Sequence, residues 1–398
     1  MTLPDREDVL RRGVEEIIVE REFIERLDSG NPMRLKMGFD PSAPDIHLGH
    51  AVGLRKLRQL QELGHKVVLI VGDWTAQIGD PSGRSQTRTM LGADEVNANA
   101  QTYLDQFFKI VDRDRTEIRL QSEWFGPFSL TNVIELTRKF TVAQILARDD
   151  FAKRFKESQP IAITELLYPL LQAYDSVAIR SDVEFGGSDQ RFNLLVGREL
   201  QQSEGMPPQQ CFIMPLLPGT DGIQKMSKSL DNYIGIDEPP NEIYGKVMSI
   251  PDTLIIPYYE WLTDVPSLEI VEIKSALSNG SGNPMELKKR VAGILVADYH
   301  DPESAALARS FFERTVQGQE IPDDIQTHSI PRGPDSIGVR LSHIIFNAGL
   351  ATSTGEARRL IDQGAVRIDD EPVRLNMEVS TLRAGVLKVG RRRYLRLV

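Results

Sequence analysis

The segment that decides the fold is Met33–His50, which reads MRLKMGFDPSAPDIHLGH. Its first seven residues predict a strand, and Pro41 and Pro44 exclude a helix until about residue 46. From Leu48 onward, apolar residues repeat at helical spacing as far as Gly64, a typical helix stop. The segment therefore predicts a strand, a polar loop and a helix in succession.

The alternation of strands and helices continues along the chain. Lys66–Val71 is a continuous apolar run, typical of a strand buried on both faces of a parallel sheet. Further strands are predicted at Asp182–Phe185 and Cys211–Pro215, with the helix Asp189–Ser203 between them. Other helical patterns cover about 94–111, 129–147 and 162–176. This order predicts an α/β protein with a doubly wound, Rossmann-like parallel sheet.

Four polar, glycine-rich segments follow predicted strands directly: Gly38–His50, Gly72–Arg84, Gly186–Gln190 and Gly222–Ser229. Strands of a parallel sheet end at one common edge, and open α/β sheets bind their ligands there. We therefore expect these segments to meet around one ligand site.

The chain divides into regions of different pattern. Residues 1–230 carry the sheet pattern. A helical pattern covers 231–326, and a linker rich in Pro, Gly and Ser is predicted at 327–337. Residues 338–398 read as a small α+β module, with short strands at Val366–Ile368, Val386–Val389 and Tyr394–Leu397.

Charge is unevenly distributed. The chain has 398 residues and a net charge of −10, which argues against a general nucleic-acid coat protein. Residues 338–398 contain 11 basic and 6 acidic residues, however, so they carry +5 and leave −15 on the first 337. A basic module on an acidic body suggests an enzyme that holds RNA with one part and performs its chemistry elsewhere.

The single cysteine, Cys211, rules out an internal disulfide and a site with several thiolates, and it suits a reducing cytoplasm. We interpret it as a small buried strand residue rather than a catalytic thiol. Met1–Gly13 is polar and charged, so we expect no secretory signal, and the apolar runs are too short to span a membrane.

Two short motifs carry the chemistry. His47 and His50 lie three residues apart at a helix start and share a face, with Gly49 between them. Lys225-Met-Ser-Lys-Ser229 supplies positive charge and hydroxyl donors in a loop. Such groups stabilise a phosphate under attack. Taken separately, the histidines could be surface residues, and the lysines could be a solvated run of charge. A zinc site is not expected, because the sequence has neither the glutamate of the metalloprotease pattern nor a cluster of thiolates.

Tyr168, Gln172 and Asp175 are spaced four and three residues apart, so a phenol, an amide and a carboxylate share one stripe of an otherwise apolar helix. This stripe suits a small zwitterion with a polar tip. A satisfied buried network or a solvent face would give the same spacing.

The two motifs resemble the signature motifs of class I aminoacyl-tRNA synthetases. Further segments resemble tyrosyl-tRNA synthetase in the bacterial subgroup with a full KMSKS motif: Gly38-Phe-Asp-Pro, Gly79-Asp-Pro-Ser-Gly83, Tyr168-Pro-Leu-Leu-Gln-Ala-Tyr-Asp175 and Gly186-Gly-Ser-Asp-Gln190. The resemblance covers essentially the whole chain. It implies a tyrosine–tRNA ligase of the cytoplasm and a homodimer whose contact lies in a dimerisation insertion at about 90–180. The apolar helices near residues 129–165 fit such a contact.

The resemblance also implies site roles. Catalytic residues would be His47, His50, Lys225, Lys228 and Ser229. ATP, a substrate, would be bound by Gly38, Ser42, His47, Gly49, His50, Arg84, Asp189, Lys225 and Lys228, with Mg²⁺ on its phosphates and no protein metal site. Tyrosine would be bound by Asp40, Asp80, Tyr168, Gln172, Asp175 and Gln190. The C-terminal module resembles a ribosomal-protein RNA-binding domain and would contact tRNA(Tyr) through Arg340, Arg358, Arg359, Arg391, Arg392 and Arg393, although such arginines are often only solvated.

Three positions depart from the family pattern. Lys36 stands where many relatives have a tyrosine, which puts a second phenol contact at the substrate hydroxyl in doubt; we expect Lys36 to pair with an acid instead. Arg84 replaces a common lysine, and Ser42 replaces a frequent threonine. Competing readings are a tryptophanyl synthetase, a small nucleotidyltransferase, or a synthetase-like RNA-binding protein without catalysis.

Overall fold

The structure, a computed structural model, describes residues 5–41, 46–80, 93–317, 325–333, 338–390 and 393–398, with the backbone alone for 93–97. The chain forms two compact units. The N-terminal unit comprises Met1–Pro239 and Lys246–Tyr299, and the C-terminal unit comprises Pro240–Gly245 and His300–Val398. Across the described ranges we find no helix whose length and apolarity would let it span a bilayer.

The N-terminal unit holds one six-stranded sheet. Its strands are β1 (Glu16–Ile18), β2 (Arg34–Phe39), β3 (Lys66–Val71), β4 (Thr116–Leu120), β5 (Val183–Gly187) and β6 (Gln210–Met214). The helices up to residue 299 are α1 (Arg6–Arg11), α2 (Glu20–Asp28), α3 (Leu48–Glu62), α4 (Thr75–Ile78), α5 (Ala93–Phe107), α6 (Ser122–Phe125), α7 (Leu130–Thr137), α8 (Val142–Ile145), α9 (Asp149–Lys156), α10 (Ile163–Ala178), α11 (Arg191–Ser203), α12 (Pro240–Met248), α13 (Ile255–Leu262), α14 (Ser267–Ser278) and α15 (Pro284–Tyr299).

The sheet is doubly wound, as predicted. Its strand order is β1-β6-β5-β2-β3-β4, and β2 to β6 run parallel while β1 is antiparallel. The chain moves outward from β2 to β4 and then returns to β5 and β6 on the other side. The adjacent strands β2 and β5 therefore form the topological switch point, where a crevice for ligands opens at the carboxyl ends.

Burial explains which strands were predictable. Residues 67–71 of β3 and all of β6 are buried, so their sequences are continuous apolar runs apart from Gln210 at the start of β6. In contrast, β4 is half-buried along most of its length, and β1 is a three-residue edge strand; the sequence prediction missed both. The predicted helix 129–147 was also wrong, because the chain breaks after Thr137 and Thr141 caps a separate α8.

The C-terminal unit has its own core and sheet. Its further helices are α16 (Pro302–Phe312), α17 (Leu341–Asn347) and α18 (Thr354–Asp362), and its strands are β7 (Thr327–His328), β8 (Val366–Ile368), β9 (Glu371–Pro372), β10 (Gly385–Val389) and β11 (Arg393–Leu397). The sheet order is β7-β11-β10-β8-β9. The unit's core includes Leu341, Ile345, Ile361, Leu387 and Leu395, which are all fully buried.

The strands predicted in this module are present, within one residue at each end. One feature of the predicted linker differs from expectation: Thr327 and His328 form β7, which pairs in parallel with β11. The linker segment therefore begins inside the sheet of the C-terminal unit.

Candidate active site

A cavity of about 580 Å³ lies in the N-terminal unit at the carboxyl edge of β2 and β5. All four glycine-rich segments identified in the sequence contribute residues to its lining. The convergence expected from the strand polarity is therefore observed.

Most of the predicted site residues surround this cavity. Those that line it are Gly38, Asp40, His47, Gly49, His50, Asp80, Tyr168, Gln172, Asp175, Asp189, Gln190, Lys225, Lys228 and Ser229. Two predicted ATP-binding residues, Ser42 and Arg84, lie outside the described residues. The structure thus brings both motifs and the polar stripe of α10 to one place.

The histidine pair begins helix α3. The main-chain N–H of His47 donates to Nδ1 of His50 at 3.3 Å, which leaves the proton of a neutral His50 on Nε2. Burial lowers the pKa of His50 to about 4, and burial likewise lowers the pKa of His47 well below its usual value; the charge of Lys228 adds to both effects. Both imidazoles are therefore neutral hydrogen-bond donors at pH 7, beside the positive end of a helix dipole.

Gly49 is required by the packing of these rings. The His47 and His50 rings stack with their centroids 3.9 Å apart. A Cβ atom on residue 49 would lie 3.0 Å from two atoms of the His47 ring. A side chain at this position would therefore require the imidazole to move by a few tenths of an ångström.

The lysine motif lies in a braced loop. The Nδ2 group of Asn232 donates to Asp221 at 2.8 Å, and its Oδ1 accepts from the main-chain N–H of Ser227 at 2.8 Å. Met226 is buried, and the Nζ of Lys225 lies 2.8 Å from an Asp189 oxygen. These contacts hold the loop at the cavity.

A backbone bridge joins the two motif segments. Gly235, just after the lysine loop, pairs with His47, and the N–H of Ile236 donates to the carbonyl of Ile46 at 3.0 Å. The histidine and lysine motifs are therefore neighbours, although they are distant in sequence.

Helix α10 presents its polar stripe to the cavity. The Tyr168 hydroxyl donates to one oxygen of Asp40 at 2.8 Å, and the Thr75 hydroxyl donates to the other at 2.6 Å. A Cβ atom on Gly72 would approach that second oxygen to 2.2 Å, so only glycine permits this placement. Asp40 thus connects α10 to the end of β2.

Asp175 is a buried carboxylate with two fixed partners. It accepts hydrogen bonds from Nε2 of Gln121 at 2.8 Å and from the Trp124 indole at 3.1 Å. Burial raises its pKa to about 7, while the charge of Lys36 opposes that rise. Since an ionised carboxylate can accept about four hydrogen bonds, it retains capacity for a donor in the cavity.

A chain of amides also contributes to the lining of the pocket. Gln190 donates to Asp80 at 2.7 Å, and Asn193 donates to Gln190 at 3.0 Å and to Gln172 at 3.1 Å. These bonds set which atoms of each amide remain available to a ligand.

Lys36 pairs with an acid, as expected. Its Nζ lies 2.8 Å from an oxygen of Glu184, and both side chains are buried. Neither residue belongs to the cavity lining.

Sequence reasoning missed several supporting residues. Gln121 and Trp124 follow β4, which was not predicted, so nothing placed them near Asp175. Thr75 lies in a polar segment that was expected at the site, but its bond to Asp40 could not be anticipated. Asn193 follows Gln190 by three residues on α11, and that helical spacing was the available signal.

Within the described ranges, no group of three or more His, Cys, Asp or Glu side chains could hold a metal ion. Cys211 is fully buried in β6, and burial raises the pKa of its thiol to about 12. The interpretation of Cys211 as a packed strand residue is confirmed.

The predicted RNA-binding arginines belong to the C-terminal unit. Arg358 and Arg359 are exposed on α18. Arg340 donates to the carbonyl of Asn376 at 3.4 Å, and Arg393 donates to that of Leu350. Arg391 and Arg392 lie outside the described residues.

Comparison with known families gives two matches. Residues 28–317 match the family described as tRNA synthetases class I (W and Y), and residues 339–381 match the S4 domain.

Similar proteins agree along nearly the whole chain. A protein named tyrosine–tRNA ligase from Dehalococcoides mccartyi strain CBDB1 is 58% identical over 389 residues, which cover 98% of this chain and 97% of that protein. The tyrosine–tRNA ligase of Thermotoga maritima is 48% identical over 398 residues, covering 100% and 98% of the two chains. A solved tyrosyl-tRNA synthetase from Archaeoglobus fulgidus, complexed with L-tyrosine, is 25% identical with a TM-score of 0.63, covering 76% of this chain and 98% of that one.

Proposed function

The chain belongs to the tyrosine–tRNA ligases within the class I tRNA synthetases, and it joins tyrosine to tRNA through a tyrosyl-adenylate; we propose that the cavity at the switch point of its sheet forms this adenylate. One observation supports the proposal most: both signature motifs and the polar stripe of α10 line the same cavity. The sequence identity to tyrosine–tRNA ligases extends over nearly the full length of the chain. It excludes the three alternatives, namely a tryptophanyl synthetase, a small nucleotidyltransferase and an RNA-binding protein without catalysis.

The ATP half of the cavity is formed mainly by hydrogen-bond donors. The tyrosine carboxylate is already a nucleophile, so its attack on the α-phosphorus needs no general base from the protein. The neutral imidazoles of His47 and His50, together with Lys225, Lys228 and Ser229, stabilise the charge on the phosphate and on the departing pyrophosphate. Gly38 and Asp189 contact the ribose, and Gly49 leaves room for the base. The family resemblance assigns Ser42 and Arg84, which lie outside the described residues, to the phosphates.

Lys225 has two competing positions in this scheme. It pairs with Asp189 at 2.8 Å, yet Asp189 is also the proposed partner of the ribose hydroxyls. The ribose hydroxyls compete with this ion pair, which allows the Lys225 ammonium to turn toward the phosphates, where its charge is needed.

Magnesium enters with the nucleotide. The side chains proposed to surround the phosphates are mainly lysines, imidazoles and hydroxyls, which donate hydrogen bonds rather than ligate Mg²⁺. This ion prefers phosphate oxygens and water when few carboxylates are offered. Mg²⁺ is therefore carried on the ATP phosphates and neutralises part of their charge.

The tyrosine half of the cavity binds both ends of the substrate. Asp175 accepts a hydrogen bond from the phenolic hydroxyl, and Asp80, Tyr168 and Gln172 hold the ammonium. Asp40 fixes the hydroxyl of Tyr168 at 2.8 Å, and Gln190 lies near the substrate carboxylate.

The domain division that fits this function keeps the predicted boundaries except at the linker. Residues 1–230 form the catalytic domain with its insertion, 231–326 a helical tRNA-binding domain and 338–398 the RNA-binding module. Of the linker predicted at 327–337, Thr327 and His328 belong to the sheet of the C-terminal unit. Because tRNA, tyrosine and ATP are all encountered in the cytoplasm, that compartment is the proposed location.

The proposed function is tested by separating adenylate formation from tRNA charging. Purified enzyme should exchange labelled pyrophosphate into ATP with tyrosine and with no other standard amino acid. The Arg358→Ala/Arg359→Ala variant should keep this exchange but charge tRNA(Tyr) more weakly. Its salt dependence of tRNA binding should fall by about one phosphate contact for each arginine lost.

The matched control is Arg6→Ala/Arg21→Ala, which removes two half-exposed to exposed arginines from the N-terminal unit. It changes the net charge equally and should leave charging unaffected. Absence of tyrosine-dependent exchange would overturn the assignment of the cavity. Equal charging by the two double variants would overturn the RNA-binding role of α18.

A second copy of the chain is the proposed partner of the insertion. Its helices expose large apolar side chains: Leu130 is 74% exposed, Ile134 56%, Val142 64%, Phe155 67% and Ile163 78%. An apolar surface of this kind commonly marks a protein interface, and most soluble oligomers are symmetric dimers.

We expect Ile134→Asp/Val142→Asp to convert a dimer into a monomer, because the substitutions place charges in a desolvated contact. Sedimentation at micromolar concentration measures the change. Leu268→Asp alters a residue that is 83% exposed on α14 and should leave the dimer intact. A wild-type chain that sediments as a monomer would contradict the proposal.

A further inference from the structure

A buried ion pair lies behind the tyrosine half of the cavity. Lys36 and Glu184 are register partners on the adjacent strands β2 and β5, at the switch point of the sheet. The Lys36 side chain is 0% exposed and that of Glu184 is 2% exposed. Charges this deeply buried are costly unless every donor and acceptor is satisfied.

The Lys36 ammonium has no N–H left for a substrate. Its Nζ lies 2.8 Å from each of three acceptors: an oxygen of Glu184, the main-chain carbonyl of Gln172 and the hydroxyl of Ser176. An ammonium group has three donors, so these contacts use all of them. Lys36 therefore cannot replace a phenol that would touch the tyrosine hydroxyl directly.

Glu184 sets the orientation of a substrate-binding amide. Its carboxylate accepts from Lys36, from Nε2 of Gln172 at 3.2 Å, from Ser176 at 3.1 Å and from Gln209. A carboxylate only accepts, so Gln172 must turn its NH₂ group toward Glu184. Its carbonyl oxygen then faces Asn193 and the cavity, and an oxygen is what a substrate ammonium requires.

The same pair holds the turn of α10 that carries Asp175. Lys36 bonds to residues 172 and 176, which precede and follow Asp175 on that turn. The carboxylate of Asp175 is thereby fixed between Gln121 and Trp124. One ion pair thus supports the groups proposed for both ends of the substrate.

We propose that Lys36 and Glu184 are positioning residues for tyrosine: without touching it, they orient Gln172 toward its ammonium and fix Asp175 for its hydroxyl. This inference rests on the proposed tyrosine site. A purely stabilising role is a poor explanation, because buried ion pairs are often no more stable than packed apolar residues of the same size.

The test compares Glu184→Gln, Lys36→Met and the double variant Lys36→Met/Glu184→Gln in tyrosine-dependent pyrophosphate exchange. Each single variant leaves a buried partner uncompensated and should unfold at a lower temperature. Each should also raise the KM for tyrosine by about tenfold, the scale of one lost hydrogen bond to a charged group. The KM for ATP should stay unchanged, because the ion pair lies behind the tyrosine half of the cavity and not behind the ATP half.

The double variant distinguishes positioning from stability. It removes both charges, so thermal stability should return toward that of the wild type. The KM for tyrosine should remain about tenfold raised, because Gln172 then keeps only the Asn193 contact of the two that orient its amide. A KM that recovers together with stability would show that the pair is merely structural and overturn the inference.

A matched control is available on the same helix. Arg154 and Glu165 form another buried ion pair, with Glu165 near the start of α10, and neither lines the cavity. Arg154→Met/Glu165→Gln should change stability but not the KM for tyrosine. If Asp175→Asn also leaves the KM for tyrosine unchanged, the tyrosine site itself is wrongly placed. If Asp175→Asn raises this KM but the Lys36 and Glu184 variants do not, only the positioning role is contradicted.

Discussion

Alanine in place of Lys228 is expected to slow tyrosyl-adenylate formation by about two to three orders of magnitude, the usual effect of removing a donor that acts in the transition state. The KM for tyrosine should stay nearly unchanged, because Lys228 belongs to the nucleotide half of the cavity. Rapid-quench measurement of adenylate in a single turnover gives the chemical rate directly.

The surroundings of Lys228 support a role for its charge. It lowers the pKa of both His47 and His50, so its ammonium acts on the same space as the imidazoles. Burial keeps those rings neutral, which leaves the lysines to supply the positive charge at the phosphates. Loss of Lys228 is therefore not compensated by protonation of a neighbouring histidine.

Lys246→Ala is the matched control for this prediction. Lys228 and Lys246 both approach the ring of Tyr233, at 5.9 Å and 4.9 Å from its centroid. Lys246 is paired with Glu238 and does not line the cavity, so its removal should leave the adenylate rate unchanged. An unchanged rate for Lys228→Ala would remove this lysine from the catalytic mechanism.

The residues that could be predicted from the sequence share one property. His50, Asp175 and Lys225 belong to motifs in or beside elements with strong patterns, namely buried parallel strands and long amphipathic helices. Once strand polarity is known, the carboxyl edge of the sheet brings such segments together without any knowledge of side-chain contacts.

The residues that could not be predicted depend on contacts between distant parts of the chain. Gln121 and Trp124 follow a half-buried strand whose pattern does not differ clearly from a loop. Glu184 reads as an ordinary charged residue, because its partner Lys36 lies 148 positions earlier. Burial decides the role of such residues, and burial is a property of the folded chain.

Asp175→Asn is expected to have the second large effect, on the choice between tyrosine and phenylalanine. With phenylalanine in the pocket, the Asp175 carboxylate would be left without its third donor in a buried site. A site built for a hydroxyl rejects the analogue lacking it by about 10⁴ to 10⁵, a discrimination for which tyrosyl-tRNA synthetases are the known example.

Asparagine offers an NH₂ group where Asp175 has only acceptors. Since Gln121 and Trp124 both donate to this side chain, one of them would face another donor. We expect the tyrosine-to-phenylalanine ratio of kcat/KM to fall by about two orders of magnitude or more, as for a lost bond to a buried charge. A ratio unchanged in pyrophosphate exchange would contradict the assignment of Asp175.

The pH dependence of the wild-type enzyme gives an independent test of Asp175. Its pKa is raised to about 7 in the empty pocket, and a phenolic donor favours the ionised form, so kcat/KM for tyrosine should fall as the pH drops through about 7.

The stability of the ligand-free protein should change in the opposite direction. Because the pKa of Asp175 is raised on folding, its contribution to the free energy of unfolding is complete below the pKa of the unfolded chain, near 4, and is lost as the pH rises through about 7. Asp175→Asn should weaken the pH dependence of both kcat/KM for tyrosine and stability. In the wild type, kcat/KM for phenylalanine should not fall with tyrosine's as the pH drops through about 7. Parallel profiles for the two amino acids would mean that Asp175 does not recognise the hydroxyl.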